Sequence, residues 1–123
     1  MNIEKVFKTV LDCAFNVHSV LGPGLLENAY KECLCYELLQ NGLLIEKQKA
    51  LPLLYKEIKL DAGYRVDLLI ENQIIIEIKS VEGLNDIHLA QILTYLKLSG
   101  CKLGLLVNFN VCHLKDGIKR VVL

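Results

Sequence analysis

Two apolar runs separated by a short polar turn constrain this chain more than any other feature. Tyr64 to Ile70 and Gln73 to Lys79 are rich in aliphatic and β-branched residues, with Glu71-Asn72-Gln73 as the turn between them. Side chains alternate between the faces of a strand. On that rule Tyr64, Val66, Leu68 and Ile70 share one face of the first strand, and Ile74, Ile76 and Ile78 share one face of the second. The opposite side carries Arg65, Asp67 and Leu69 beside Ile75, Glu77 and Lys79. Directly opposed residues in an antiparallel pair lie on the same face. A two-residue turn would pair odd positions with even ones and mix the faces. A three-residue loop at 71–73 instead sets Leu69 against Ile75 and Asp67 against Glu77.

The pattern therefore predicts two carboxylates side by side. Opposed like charges destabilise a strand pair, and each carboxylate raises the other's pKa unless a cation relieves them. Lys79, two residues beyond Glu77 on the same face, offers one positive charge. A divalent cation offers more, and hard cations such as Mg²⁺ favour carboxylate, carbonyl and water oxygens. Taken alone, the same residues also describe an ordinary surface cluster in which two acids pair with Lys79 and Arg65.

The surrounding pattern supplies the rest of a fold. Apolar residues from Ile3 to Val20 recur on one face of a helix, which Gly22-Pro23-Gly24 stops. A second helix is expected from about Leu25 to Gln40, ended by Asn41-Gly42. Residues 44–60 read as extended, with Pro52 limiting pairing. Asn85 or Asp86 caps a helix through Leu98 that ends at Ser99-Gly100. Leu103 to Val107 reads as a buried strand. A tail hairpin is expected from Val111–Leu114 and Ile118–Val122 around Asp116-Gly117. The length, 123 residues, suits one domain, 1–123, with an α/β or α+β arrangement of helices on a mixed sheet.

Composition narrows the function classes. No apolar run is long enough for a transmembrane helix, and the amphipathic N-terminus does not resemble a signal peptide, so a cytoplasmic location without membrane attachment is the expectation. Five cysteines, with no CxxC spacing, point to reduced and mostly buried thiols rather than a disulfide framework or zinc site. Lys and Arg total 14, as do Asp and Glu. A domain that binds nucleic acid through charge alone is usually strongly basic. The balance leaves room for a local basic groove or a metal that bridges to phosphate.

Three further pieces of sequence carry a resemblance. One is Gly24-Leu25-Leu26-Glu27-Asn28-Ala29-Tyr30 at the start of the second helix. Another is the QxxxY pattern Gln91-Ile92-Leu93-Thr94-Tyr95. The last is the setting of Asp61 to Asp67, Glu77-Ile78-Lys79 and Leu103 to Phe109. In this order and spacing they resemble the GxxExxY protein family, which is similar to the PD-(D/E)XK nuclease superfamily and in particular to its RecB-like branch with QxxxY. The resemblance runs from about residue 4 to Arg120. Val66 stands where that superfamily often has proline, a position that is not a ligand.

The resemblance implies an α/β, restriction-endonuclease-like core: a mixed β-sheet flanked by helices, with two N-terminal helices and a C-terminal hairpin. It matches Glu27, Asp67, Glu77, Lys79, Gln91 and Tyr95 to the family's site positions. It implies a Mg²⁺-dependent (or Mn²⁺-dependent) nuclease hydrolysing phosphodiester bonds of DNA, with RNA as the second candidate. Asp67 and Glu77, with the carbonyl of Ile78 and with Glu27 directly or through water, would hold the metal; Lys79 would hold or activate the attacking water. The alternative is a catalytically inactive nuclease-fold module that binds nucleic acid or protein. A chain this short would call on a homodimer or a partner subunit to hold a duplex. Tyr30 reads as a packing residue with a hydrogen-bonding tip, and His88 as structural or solvated.

Overall fold

The computed structural model describes residues 2–123, and among them lie three α-helices, one 3₁₀ turn and five strands. Helix α1 (Ile3–Leu21) is started by Asn2, whose side chain accepts hydrogen bonds from the Glu4 and Lys5 amides. Gly22, at φ 67°, ends it. Helix α2 (Glu27–Gln40) follows, then strands β1 (Ile45–Tyr55), β2 (Ile58–Ile70) and β3 (Ile74–Lys79). Helix α3 (Asp86–Ser99) leads to β4 (Leu103–Asn108), the 3₁₀ turn (Leu114–Gly117) and β5 (Ile118–Val122). No helix is long and apolar enough to cross a membrane among the described residues.

The strands form one sheet in the order β1-β2-β3-β4-β5. Every neighbouring pair is antiparallel except β3 and β4, which run parallel and are joined through α3. A parallel pair needs such a crossover, and the crossover places α3 on one face. Helices α1 and α2 cover the other face, where Phe7, Val10, Leu34 and Leu38 pack with Leu68, Ile70, Ile76 and Val107. The α3 layer joins Ile92, Tyr95 and Leu96 to Leu69, Ile75 and Leu106. Covered on both faces, β3 and β4 are apolar runs rather than alternating ones. Gly104 lets α3 approach closely, because a Cβ there would stand 3.0 Å from the Ile92 side chain.

Three expectations shift. The strand expected to begin at Tyr64 starts at Ile58, closing a tight turn in which Lys56 takes φ 52°. Pro52 lies at the register break between Leu51 and Leu53 on the edge strand, where a missing amide is tolerated. The tail strand is present, but its partner is β4, through pairs from Leu103↔Val122 to Val107↔Ile118. Residues 111–113 make bends and 114–117 the 3₁₀ turn, so the expected 111–114 strand does not form. Gly117 explains why this turn fits: a Cβ would fall 2.2 Å from the Asn108 carbonyl oxygen.

Buried polar side chains brace the loops around this frame. Tyr30 stacks on Phe109 at 4.6 Å, donates to the Gly22 carbonyl and accepts from the Leu25 amide. Asn108 accepts from the Val81 amide and donates to the Val81 carbonyl. His18 Nε2 lies 2.7 Å from the Val111 carbonyl. Cys13, Cys35 and Cys101 are buried thiols, while Cys33 and Cys112 are exposed.

Candidate active site

The β2–β3 ladder consists of Ile70↔Ile74, Leu69↔Ile75 and Leu68↔Ile76, the register that a loop at 71–73 demands. Glu71 and Asn72 take φ of 52° and 54° to make that loop. The next pair along the ladder would be Asp67 and Glu77, and there the carboxylates replace the main-chain bonds. The Asp67 amide donates to Glu77 Oε1 at 3.1 Å, and the Ile78 amide donates to Asp67 Oδ2 at 2.8 Å. Each acid thus satisfies the other strand's backbone.

Asp67 is irregular on its other side as well. The β1–β2 register passes from Lys47↔Leu68 to Lys49↔Val66 without pairing the residues between. Gln48 there takes φ 52° and reaches Asp67 Oδ1 through its side-chain amide at 3.4 Å. Released from both neighbours at one residue, β2 changes phase. Leu68 packs under α1 and α2, whereas Val66 packs in the α3 layer. The alternation rule had placed Val66 and Leu68 on one face. It assumes a regular strand, and the unpaired Gln48 and Asp67, with Gln48 at positive φ, break that premise.

Glu77 is the buried acid of the pair, and Asp67 is half-buried. Glu77 is only 4% exposed. Burial, and then the neighbouring charge of Asp67, push its carboxyl from 4.5 up to about 8. Burial also raises the Tyr95 phenol, with the Glu77 charge as a further cause.

Lys79 makes no ion pair within 4.0 Å among the described residues, so the simple Lys79–carboxylate pairing considered from the sequence is absent. Its ammonium donates instead to Gln91 Oε1 at 2.9 Å, and Gln91 Nε2 donates to Tyr95 Oη at 3.2 Å. An ammonium can only donate, so the glutamine oxygen must face Lys79 and its NH₂ must face Tyr95. The spacing of four residues puts Gln91 and Tyr95 on one face of α3, while Ile92 and Leu96 seat that helix on the sheet.

A cleft of about 360 Å³ collects these groups. Asp67, Glu77, Ile78 and Lys79 enter from the sheet, Glu27 from the start of α2, and Gln91 and Tyr95 from α3. Asn28, Lys31 and Arg65 line it too. Sequence reasoning had not assigned these last three to the site, although Lys31 is one helical turn past Glu27 and Arg65 is two residues before Asp67. Tyr30 stays outside, tied to the α1–α2 loop. His88 also stays outside, accepting the Asn85 amide as part of the α3 capping box.

The donor set suits a hard divalent cation. Two adjacent carboxylates, one of them buried and reluctant to ionise, make a place where positive charge is strongly favoured. No group of three or more His, Cys, Asp or Glu side chains gathers tightly enough to hold a metal among the described residues. A cation at this pair would complete its shell with carbonyl, water or phosphate oxygens, as Mg²⁺ commonly does.

The mixed sheet, the crossover helix and the carboxylate pair on its central strands define an α/β, restriction-endonuclease-like fold. The chain belongs to the PD-(D/E)XK nuclease superfamily, whose family model matches residues 4–121. Nothing among curated proteins or solved structures matches the chain. Members of this superfamily generally use divalent metals and act on nucleic acid.

Proposed function

We propose that this protein is a Mg²⁺- or Mn²⁺-dependent nuclease that hydrolyses phosphodiester bonds of DNA, with RNA as the second candidate substrate, and that it lies in the GxxExxY branch of its superfamily. The observation that carries this reading is the crossed Asp67–Glu77 pair, with Glu77 buried, beside a lysine that forms no ion pair with either acid. Asp67 and Glu77 hold the cation, with the Ile78 carbonyl and with Glu27 directly or through water. A divalent cation held there polarises the phosphate, acidifies a water and orients both.

The other residues act around that centre. Lys79 Nζ holds the attacking water and offsets charge building on the phosphate. Gln91 fixes the ammonium's position, and Tyr95 fixes the glutamine amide. Because Tyr95 Oη accepts from Gln91, its own O–H remains free to donate to the nucleic-acid backbone. The test is cleavage of linear, circular and single-stranded substrates with Mn²⁺, with Glu77→Ala as the control. Cutting that depends on Glu77 supports the reading. Equal cutting by the variant would betray a contaminant and remove the assignment.

The even balance of 14 basic and 14 acidic residues favours a second reading, a module of this fold that binds nucleic acid or protein without cutting. Calorimetry separates the two, since such a module has no need of Mg²⁺ or Mn²⁺ at Asp67.

A further inference from the structure

Three cations line the cleft: Lys31 on α2, Arg65 on β2 and Lys79 on β3. They share it with three carboxylates, yet none of the three cations forms an ion pair within 4.0 Å among the described residues. Outside the cleft, cations near acids do pair, as in Lys47–Glu32, Lys49–Glu46 and Arg120–Glu4. Gln91 accounts for Lys79. Arg65 donates one N–H to the neighbouring Tyr64 carbonyl at 3.0 Å, which leaves the rest of its planar fork open. Lys31 lies four residues past Glu27 and so shares its face of α2.

Cations kept free beside unneutralised carboxylates suit an anion that arrives with the substrate. A guanidinium fork matches phosphate bidentately, and an ammonium serves as a point charge. The two groups approach from different elements, a helix packed on the sheet and a strand within it. We propose that Lys31 and Arg65 grip the phosphates on either side of the scissile one, so that the substrate is the interior of a polynucleotide strand rather than a nucleotide or a terminal phosphate. This rests on the nuclease reading and assigns residues that the metal centre does not use.

The test measures binding apart from cutting. A labelled oligonucleotide is titrated with protein in Ca²⁺, by fluorescence anisotropy, across a range of salt. Each neutralised phosphate adds about 0.7 to 0.9 to the slope of log K against log salt, equivalent to roughly five- to eightfold in affinity at 0.1 M salt. Lys31→Ala and Arg65→Ala should each lower the slope and the affinity by that amount. Arg65→Lys should keep the slope, and Lys115→Ala, an exposed lysine away from the cleft, should match wild type. If wild type binds and cuts while both alanine variants keep its slope and affinity, this inference falls and the nuclease reading stands. If wild type neither binds nor cuts, both fall.

Discussion

Glu77→Gln should flatten the protein's response to pH in the absence of metal. In the folded chain the Glu77 carboxyl holds its proton up to about 8, against 4.5 ordinarily. The unfolded chain releases that proton near the ordinary value. Stability from this group is therefore fully present below 4.5 and is lost as pH rises through the folded value. Between pH 5 and pH 7 the loss is on the order of 1 kcal/mol per pH unit, or roughly 2–3 kcal/mol in all. For a chain of this size that lowers the melting temperature by on the order of 10 °C. Glutamine keeps the Oε1 that accepts the Asp67 amide but has no proton to lose. Thermal melts in EDTA at pH 5, 6 and 7 should show the full drop in wild type and much less of it in the variant. Saturating Mn²⁺ should offset the wild-type loss, by about 2.7 kcal/mol at a hundred times its dissociation constant. Equal pH slopes in the two proteins would refute the burial argument, because the titrating group would then lie elsewhere.

Other consequences are simpler. Lys79→Ala should reduce cleavage by roughly 10²-fold or more, the scale of losing a positioned proton or charge group, while Mn²⁺ binding measured by calorimetry persists. Tyr30→Phe leaves the Leu25 amide and the Gly22 carbonyl without their partner and should cost about 1–3 kcal/mol in urea unfolding, with the fold retained. Gly117→Ala should cost a similar amount, roughly 1–3 kcal/mol, because the added methyl meets the Asn108 carbonyl oxygen; denaturant melts would show the lowered midpoint.

The sequence made the centre of the fold legible because two short strands had to share one buried face. That requirement set the loop at 71–73 and the register Leu69↔Ile75. Asn85 and Gly100 announced the limits of α3 through their caps. Alternation failed at Asp67, beside which Val66 turns toward α3, because nothing in Arg65-Val66-Asp67 signals that Asp67 is left out of both neighbouring ladders. The tail failed for a different reason. Asp116-Gly117 reads as a hairpin turn, but Gly117 serves a close approach to Asn108, and β5 gains more by extending the sheet at β4. Tyr30, Asn108 and His18 brace loops through partners up to 93 residues away, and no local pattern reports such contacts. Lys31 and Arg65 carried a usable signal in their spacing from Glu27 and Asp67. It lacked meaning until α2 and β2 were seen to share a cleft.

The most direct test of the carboxylate pair as a metal centre is calorimetric titration of Mn²⁺ at pH 7 in buffers of different ionisation enthalpy. With Glu77 holding its proton up to about 8, cation binding at pH 7 should release protons into the buffer. Binding should vanish in Asp67→Ala. Binding that persists in that variant, or that releases no proton in wild type, would contradict a metal centre built on Asp67 and Glu77.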